Sequence, residues 1–169
     1  MILIVSAGAA ILALLILFAP KEFVVERDVL VHRPRNTVFG FLKQVQKQEL
    51  WNPWTRRDPE LHREYRGQDG TVGFVYSWSG KTAGAGEQEI RAIDEGSRID
   101  FELRFEKPFR ATNQAFLTTH AAQGNATRVT WGLAGRMPFP MNVLHLFMKG
   151  RLSRDLDEGL ALLKEVLET

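Results

Sequence analysis

The sequence predicts an α+β fold in which a curved antiparallel β-sheet wraps around one long C-terminal helix. Three observations point there. Between Phe23 and Gly135, short segments alternate apolar and polar residues with period two, as half-buried strands do. Turn-forming stretches such as "GQDG", "DEGS" and "QGN" separate several of them. From Met141 onward the period changes, and apolar residues recur at threes and fours. A sheet with one apolar face and a helix with one apolar stripe each need a partner, and packing one on the other satisfies both.

In chain order, the first segment stands apart. Ile2 to Ala19, "ILIVSAGAAILALLILFA", carries no charge over 18 residues. As a helix it spans roughly 27 Å, close to the thickness of a bilayer's hydrocarbon core. No basic n-region precedes it, and "FAPKEF" is a poor cleavage site, so an uncleaved transmembrane anchor is expected over residues 1–20. A cleaved signal peptide and a buried core helix are the alternatives. Lys21, Arg27, Arg33 and Arg35 all follow the span, which places the globular domain, residues 21–169, on the cytoplasmic side, with a periplasmic location as the alternative.

"FVVERDVLV" reads as a strand. Pro34 opens a helix, "PRNTVFGFLKQVQKQ", with Val38, Phe39, Phe41, Leu42 and Val45 on its apolar side. "WNPW" ends it as a turn, because Pro53 disfavours helical geometry at Asn52 and cannot join a sheet ladder. Trp51 follows the amphipathic helix and is expected to be a buried plug; Trp54 precedes the polar "TRRD" run and is expected at a rim. The strands follow: "LHREY", "TVGFVYSWSG", "AGAGEQEIRAI", "RIDFELRFE", "RATNQAFLTTH" and "ATRVTWGLAG". The fourth of these alternates most cleanly, with Ile99, Phe101, Leu103 and Phe105 one way and Asp100, Glu102, Arg104 and Glu106 the other. The final helix carries Leu144, Met148, Leu152, Leu156, Leu160, Leu163 and Leu167 on one stripe, opposite Arg154, Asp157, Glu158 and Glu165.

A length of 169 residues suits one globular domain. A net charge of +2 without basic blocks argues against nucleic acid as a partner. There are no cysteines, hence no disulfide framework, thiolate nucleophile or cysteine-based zinc site. The four histidines, His32, His62, His120 and His145, share no helical ligand spacing, so neither metal nor cofactor is expected. His145 reads as a boundary residue near the helix start. "GKTAGAG" fails as a phosphate loop: Val75 stands where the first glycine is needed, and a strand follows instead of a helix. It reads as a hairpin. "NAT" at Asn125 reads as a turn. Glu87 and Glu89 share one strand face, outward in the favoured reading, where Arg104 would pair with them.

In this order, "VHRPRNTVFGFL", "WNPW", "YSWSG" followed by "GAGEQEI", "RIDFELRFEKPF", "TRVTWGLAG" and "DEGLALLKEVLE" resemble the SRPBCC superfamily, which has the helix-grip fold of START-type and polyketide cyclase/dehydrase-like proteins. The landmarks are most similar to its bacterial polyketide-cyclase-like branch and cover Phe23 to Glu168. The resemblance implies an apolar cavity between sheet and helix and a lipophilic small-molecule ligand; it carries over no catalytic residue. The side chains expected to line such a cavity are Trp54, Tyr76, Trp78, Phe101, Phe105, Phe116, Trp131, Phe147 and Met148. The expected function is therefore a membrane-anchored binding or carrier protein. Two alternatives stay open: a cyclase, dehydratase or hydrolase using an acid/base residue in the cavity, and a co-chaperone-like interaction module. The sequence sets no oligomeric state.

Overall fold

The computed structural model describes residues 20–137, 142 and 144–169, with side chains in the last helix from Met148 onward. All of the expected anchor but Pro20 lies outside the described residues, as do the side chains of His145 and Phe147. Among the described residues no helix is long and apolar enough to cross a membrane.

The elements are β1 (Glu22–Val31), α1 (Arg35–Lys43), a 3-10 turn (Val45–Leu50), α2 (Pro53–Arg56), β2 (His62–Arg66), β3 (Val75–Gly80), β4 (Gly84–Asp94), β5 (Arg98–Lys107), β6 (Ala111–Ala122), β7 (Ala126–Arg136) and α3 (Leu144–Glu168). The seven strands form one antiparallel sheet in the order β1-β7-β6-β5-β4-β3-β2. Register shifts at Ala85/Gly86 and Ile90/Ala92 interrupt the β4–β5 ladder, and such bulges bend a strand. Gly84, at a φ of +69°, permits the tight approach there: a Cβ would sit 2.3 Å from the Lys107 carbonyl oxygen.

Two expected elements differ. The helix opened by Pro34 ends at Lys43, because Gln44 is extended, and the chain continues as the 3-10 turn. "WNPW" does more than end it. Asn52 is an N-cap whose Oδ1 accepts the Trp54 amide at 3.0 Å, and Pro53 occupies the first turn of α2. Proline is favoured there because its missing N–H would have had no helical partner.

The core lies on the concave face of the sheet. Ile99, Phe101 and Leu103 of β5, Ala115 and Leu117 of β6 and Val129, Trp131 and Leu133 of β7 are buried there with Val38, Phe39 and Leu42 of α1. Leu156, Leu160 and Leu163 bring α3 onto β1 and β7. The helix runs in the direction of β1: Arg27 pairs with Asp157 at 3.3 Å, the Lys164 ammonium donates to the Leu30 carbonyl at 2.9 Å, and the His32 amide donates to Glu168 at 2.7 Å.

On the convex face Arg104 gathers three carboxylates, Glu89 at 2.7 Å, Glu87 at 3.0 Å and Glu102 at 2.5 Å. Glu87 and Glu89 thus point outward. Hydrogen bonds from Arg104 are the main reason both acids titrate below the ordinary glutamate range. A depressed acid stabilises the fold above its unfolded pKa, and that contribution is lost as pH falls through its folded pKa. The unfolding free energy should therefore decline from about pH 5 downward. In Arg104→Gln it should start roughly 1 kcal/mol lower at pH 7 and decline less steeply with acid. Urea titrations between pH 3 and 7 check this; parallel curves for the two proteins would remove Arg104 from the explanation.

Candidate ligand-binding site

Two aromatic groups occupy the concave face. The first lies under α3. Trp51 is 1% exposed and meets Trp131 edge-on at 4.9 Å, and Trp54 meets Trp131 edge-on at 5.4 Å. Helix α3 reaches this group through Gly159, where a Cβ would sit 2.6 Å from the Trp131 ring. Asp155, 6% exposed, accepts from the Trp54 indole at 3.3 Å and from the Arg57 guanidinium at 2.7 Å. Arg57 also donates to Glu158. "WNPW" is thereby bound to the C-terminal helix by packing and by a buried carboxylate, with Trp51 inside and Trp54 half-buried beside it.

The second group is a ribbon across the far half of the sheet. Tyr65 stacks on Phe74 at 6.1 Å and on Tyr76 at 5.5 Å; Tyr76 lies 5.7 Å from Trp78, and Trp78 lies 5.7 Å edge-on to Phe105. They share a face because β3 pairs in register with β2 and β4: Tyr76 faces Tyr65 and Gln88, and Trp78 faces Arg63 and Gly86. Gly86 leaves the room the indole fills, since a Cβ there would sit 2.7 Å from Trp78. The Trp78 indole N–H donates to the Ala83 carbonyl at 3.3 Å, so its polar end is already satisfied.

Tyr76 differs. Its residue is 5% exposed, and its hydroxyl is buried with no acceptor for its proton; the polar group beside it, the Arg63 guanidinium, can only donate. Arg63 Nε beside it is buried too and makes no hydrogen bond, although it lies 3.4 Å from Glu49 Oε1. The Tyr65 hydroxyl donates to Glu49. Burial pushes the Tyr76 hydroxyl up to about 12, and burial followed by Glu49 holds Tyr65 well above the ordinary phenol range. At neutral pH both phenols are thus protonated donors. An unsatisfied buried hydroxyl costs about 1–3 kcal/mol, and a bound acceptor oxygen would relieve it.

Of the side chains expected to line a cavity, the ribbon brings together Tyr76, Trp78 and Phe105. Phe101, 3% exposed, belongs to the core on the same face. Trp54 and Trp131 belong to the tryptophan group. Phe116 does not share this face. It alternates with the buried Ala115 and Leu117, covers Gly132 on the convex side and lies under the Arg98 guanidinium at 4.3 Å. A side chain there cannot face the helix. Met148 on α3 is 41% exposed. A depression of about 430 Å³ lined by Arg104, Phe105, Glu106, Arg110, Ala111 and Thr112 opens at the β5–β6 hairpin rather than between sheet and helix.

Sequence reasoning passed over Asp155, Arg63, Tyr65 and Glu49. The alternation in "HREYR" carries a signal for two of them, since pairing β2 with β3 sets Arg63 and Tyr65 on the Trp78 and Tyr76 face. Asp155 sits among helix charges and reads as solvated until α2 is packed against it.

A bent antiparallel sheet gripping one long C-terminal helix, with an aromatic concave face, defines a helix-grip protein of the SRPBCC superfamily. The chain belongs to the polyketide cyclase / dehydrase and lipid transport family, whose model matches residues 22–168. No curated protein sequence matches it. Solved structures share the fold at low identity. A hypothetical protein from Helicobacter pylori superposes with a TM-score of 0.66 at 11% identity, covering 86% of this chain and 88% of that one. The Aha1 dimer from Colwellia psychrerythraea gives 0.61 at 13%, covering 86% and 96%. Protein CV1439 from Chromobacterium violaceum gives 0.61 at 14%, covering 89% and 99%.

Proposed function

We propose that the chain is a membrane-anchored binding or carrier protein, which takes a lipophilic molecule bearing an acceptor oxygen onto the aromatic ribbon. The observation that carries this reading is the buried Tyr76 hydroxyl, whose proton has no acceptor, within a stacked apolar face. Apolar pockets with a few directed polar groups are the usual form of small-molecule sites. Membership of a family described by lipid transport supports the ligand class. Residues 2–19 supply the anchor, and a domain tethered at the bilayer has its ligand's source beside it.

Native mass spectrometry of the full chain, released from a mild detergent, tests the reading. A bound lipophile is expected on the wild-type chain. Tyr76→Phe should lower its occupancy about fivefold, the worth of one neutral hydrogen bond, while leaving the melting temperature the same or higher. No adduct on any preparation, with no affinity for oxygenated lipids, would sink the reading. Equal occupancy in Tyr76→Phe would remove Tyr76 from it. An enzymatic reading has one specific support: the Glu49 carboxylate, a group that can act as a general base, reaches this face through Tyr65 and Arg63.

A further inference from the structure

One end of the sheet collects features that the binding site leaves unused. The register places the start of β1, the end of β7, the β5–β6 hairpin and the β3–β4 hairpin together: Glu22 faces Arg136, Phe105 faces Ala111, Ala85 faces Lys107, and Gly80 faces Gly84. Because α3 runs in the direction of β1, its exposed Met148, Lys149 and Arg151 lie toward this end as well.

At the tip of the β5–β6 hairpin Phe109 is 71% exposed, the most exposed large hydrophobic side chain among the described residues. Lys107 and Arg110 flank it. On the sheet itself, Lys21, Lys81 and Arg136 join them to make five cations, beside the exposed acids Glu22, Glu60 and Glu106. Lys81 is paired with Glu60 at 2.7 Å; the other four cations have no ion-pair partner among the described residues. At the opposite end, with the turns after β2, β4 and β6, Val72 is 58% exposed and Tyr65 36%.

The chain's own length says what meets this end. The apolar segment stops at Ala19 and β1 begins at Glu22, a reach of about 10 Å even when fully extended. Lys21 is not slack, since its carbonyl accepts the Met137 amide at 2.8 Å. We propose that the β5–β6 tip docks on the bilayer, with Phe109 entering the interfacial zone and Lys107, Arg110 and Lys21 meeting anionic phospholipid headgroups. The proposal rests on the anchored reading above and adds a second contact to it. One tether leaves a domain free to swivel; a tether and an inserted tip fix its orientation. An apolar side chain among basic residues is the pattern of interfacial contact, in which each cation near an anionic surface adds to the attraction. The end of the sheet nearest Trp78 and Phe105 then faces the lipid.

The absence of cysteine makes the test clean. The full chain, carrying Phe109→Cys or Val72→Cys labelled with bimane, is reconstituted in phosphatidylcholine vesicles containing phosphatidylglycerol and brominated acyl chains. Loss of emission is expected at position 109 and not at 72, and the loss should shrink when phosphatidylglycerol is omitted. Labelled Thr112→Cys, which leaves Phe109, Lys107 and Arg110 in place, should show the same lipid-dependent loss. Vesicle flotation is read in parallel. A chain that floats but keeps its emission at 109 and 112 overturns the docking and leaves the anchor standing. A chain that does not float overturns both.

Discussion

Trp51→Ala should lower the unfolding free energy by about 3–5 kcal/mol, the range for large aromatic truncations in cores. Trp51 is 1% exposed, caps the 3-10 turn that carries it and packs edge-on against the Trp131 ring. Its removal opens a void between elements held by many other contacts, so the void cannot collapse fully. It also strips Trp131 of one of two edge-on partners. Urea denaturation of the full chain in detergent micelles measures the loss. Trp54→Ala is the internal comparison: Trp54 is half-buried, and a smaller loss is expected from it. A Trp51→Ala loss below that of Trp54→Ala would mean that the two rings have exchanged roles.

Leu156→Ala is expected to cost about 2–5 kcal/mol, and Leu156→Asp more. Leu156 is fully buried at the middle of the stripe that joins α3 to the sheet, between the Asp155 contact with α2 and the Asp157 contact with β1. Those polar links hold the helix in place, so a truncated side chain leaves a hole rather than a repacked interface. The aspartate adds a carboxylate with no partner at that depth. A melting temperature unchanged by Leu156→Ala would contradict the packing of α3 described above.

The fold was legible wherever a residue's surroundings are set by its own element. Strand β5 announces its buried face through Ile99, Phe101, Leu103 and Phe105, and all but the last, which is partly exposed, are under one-tenth exposed. On α3 the stripe holds from Leu152 to Leu167, whereas Met148, expected on it, is 41% exposed. What the sequence hid depends on neighbours far along the chain. Phe116 looked like lining because it is aromatic, yet Ala115, Leu117 and Thr119 hold the buried face, and the cause of its position is Gly132, 16 positions on, whose bare backbone it covers. Asp155 carries no signal in the sequence, and only α2 makes it an internal tie. Asn52 and Pro53 did carry a cap-and-first-turn signal, but a four-residue helix is too short to show a period. The polar corner of Glu49, Arg63, Tyr65 and Tyr76 joins three elements, and no local pattern contains it.

The sheet is open, so β1 and β2 each leave one row of backbone groups unpaired by a strand. Bare edges invite other chains to add strands, the route to aggregation. Both are defended. β2 is five residues long, and four of them are His62, Arg63, Glu64 and Arg66, side chains that carry charge or readily take it up. β1 is longer but carries Glu22, Glu26, Arg27 and Asp28, and Arg27 folds back onto the Glu26 carbonyl at 2.7 Å. Two copies meeting edge to edge would have to bring these charges together or strip them of water, so the charged borders discourage such encounters from nucleating fibres.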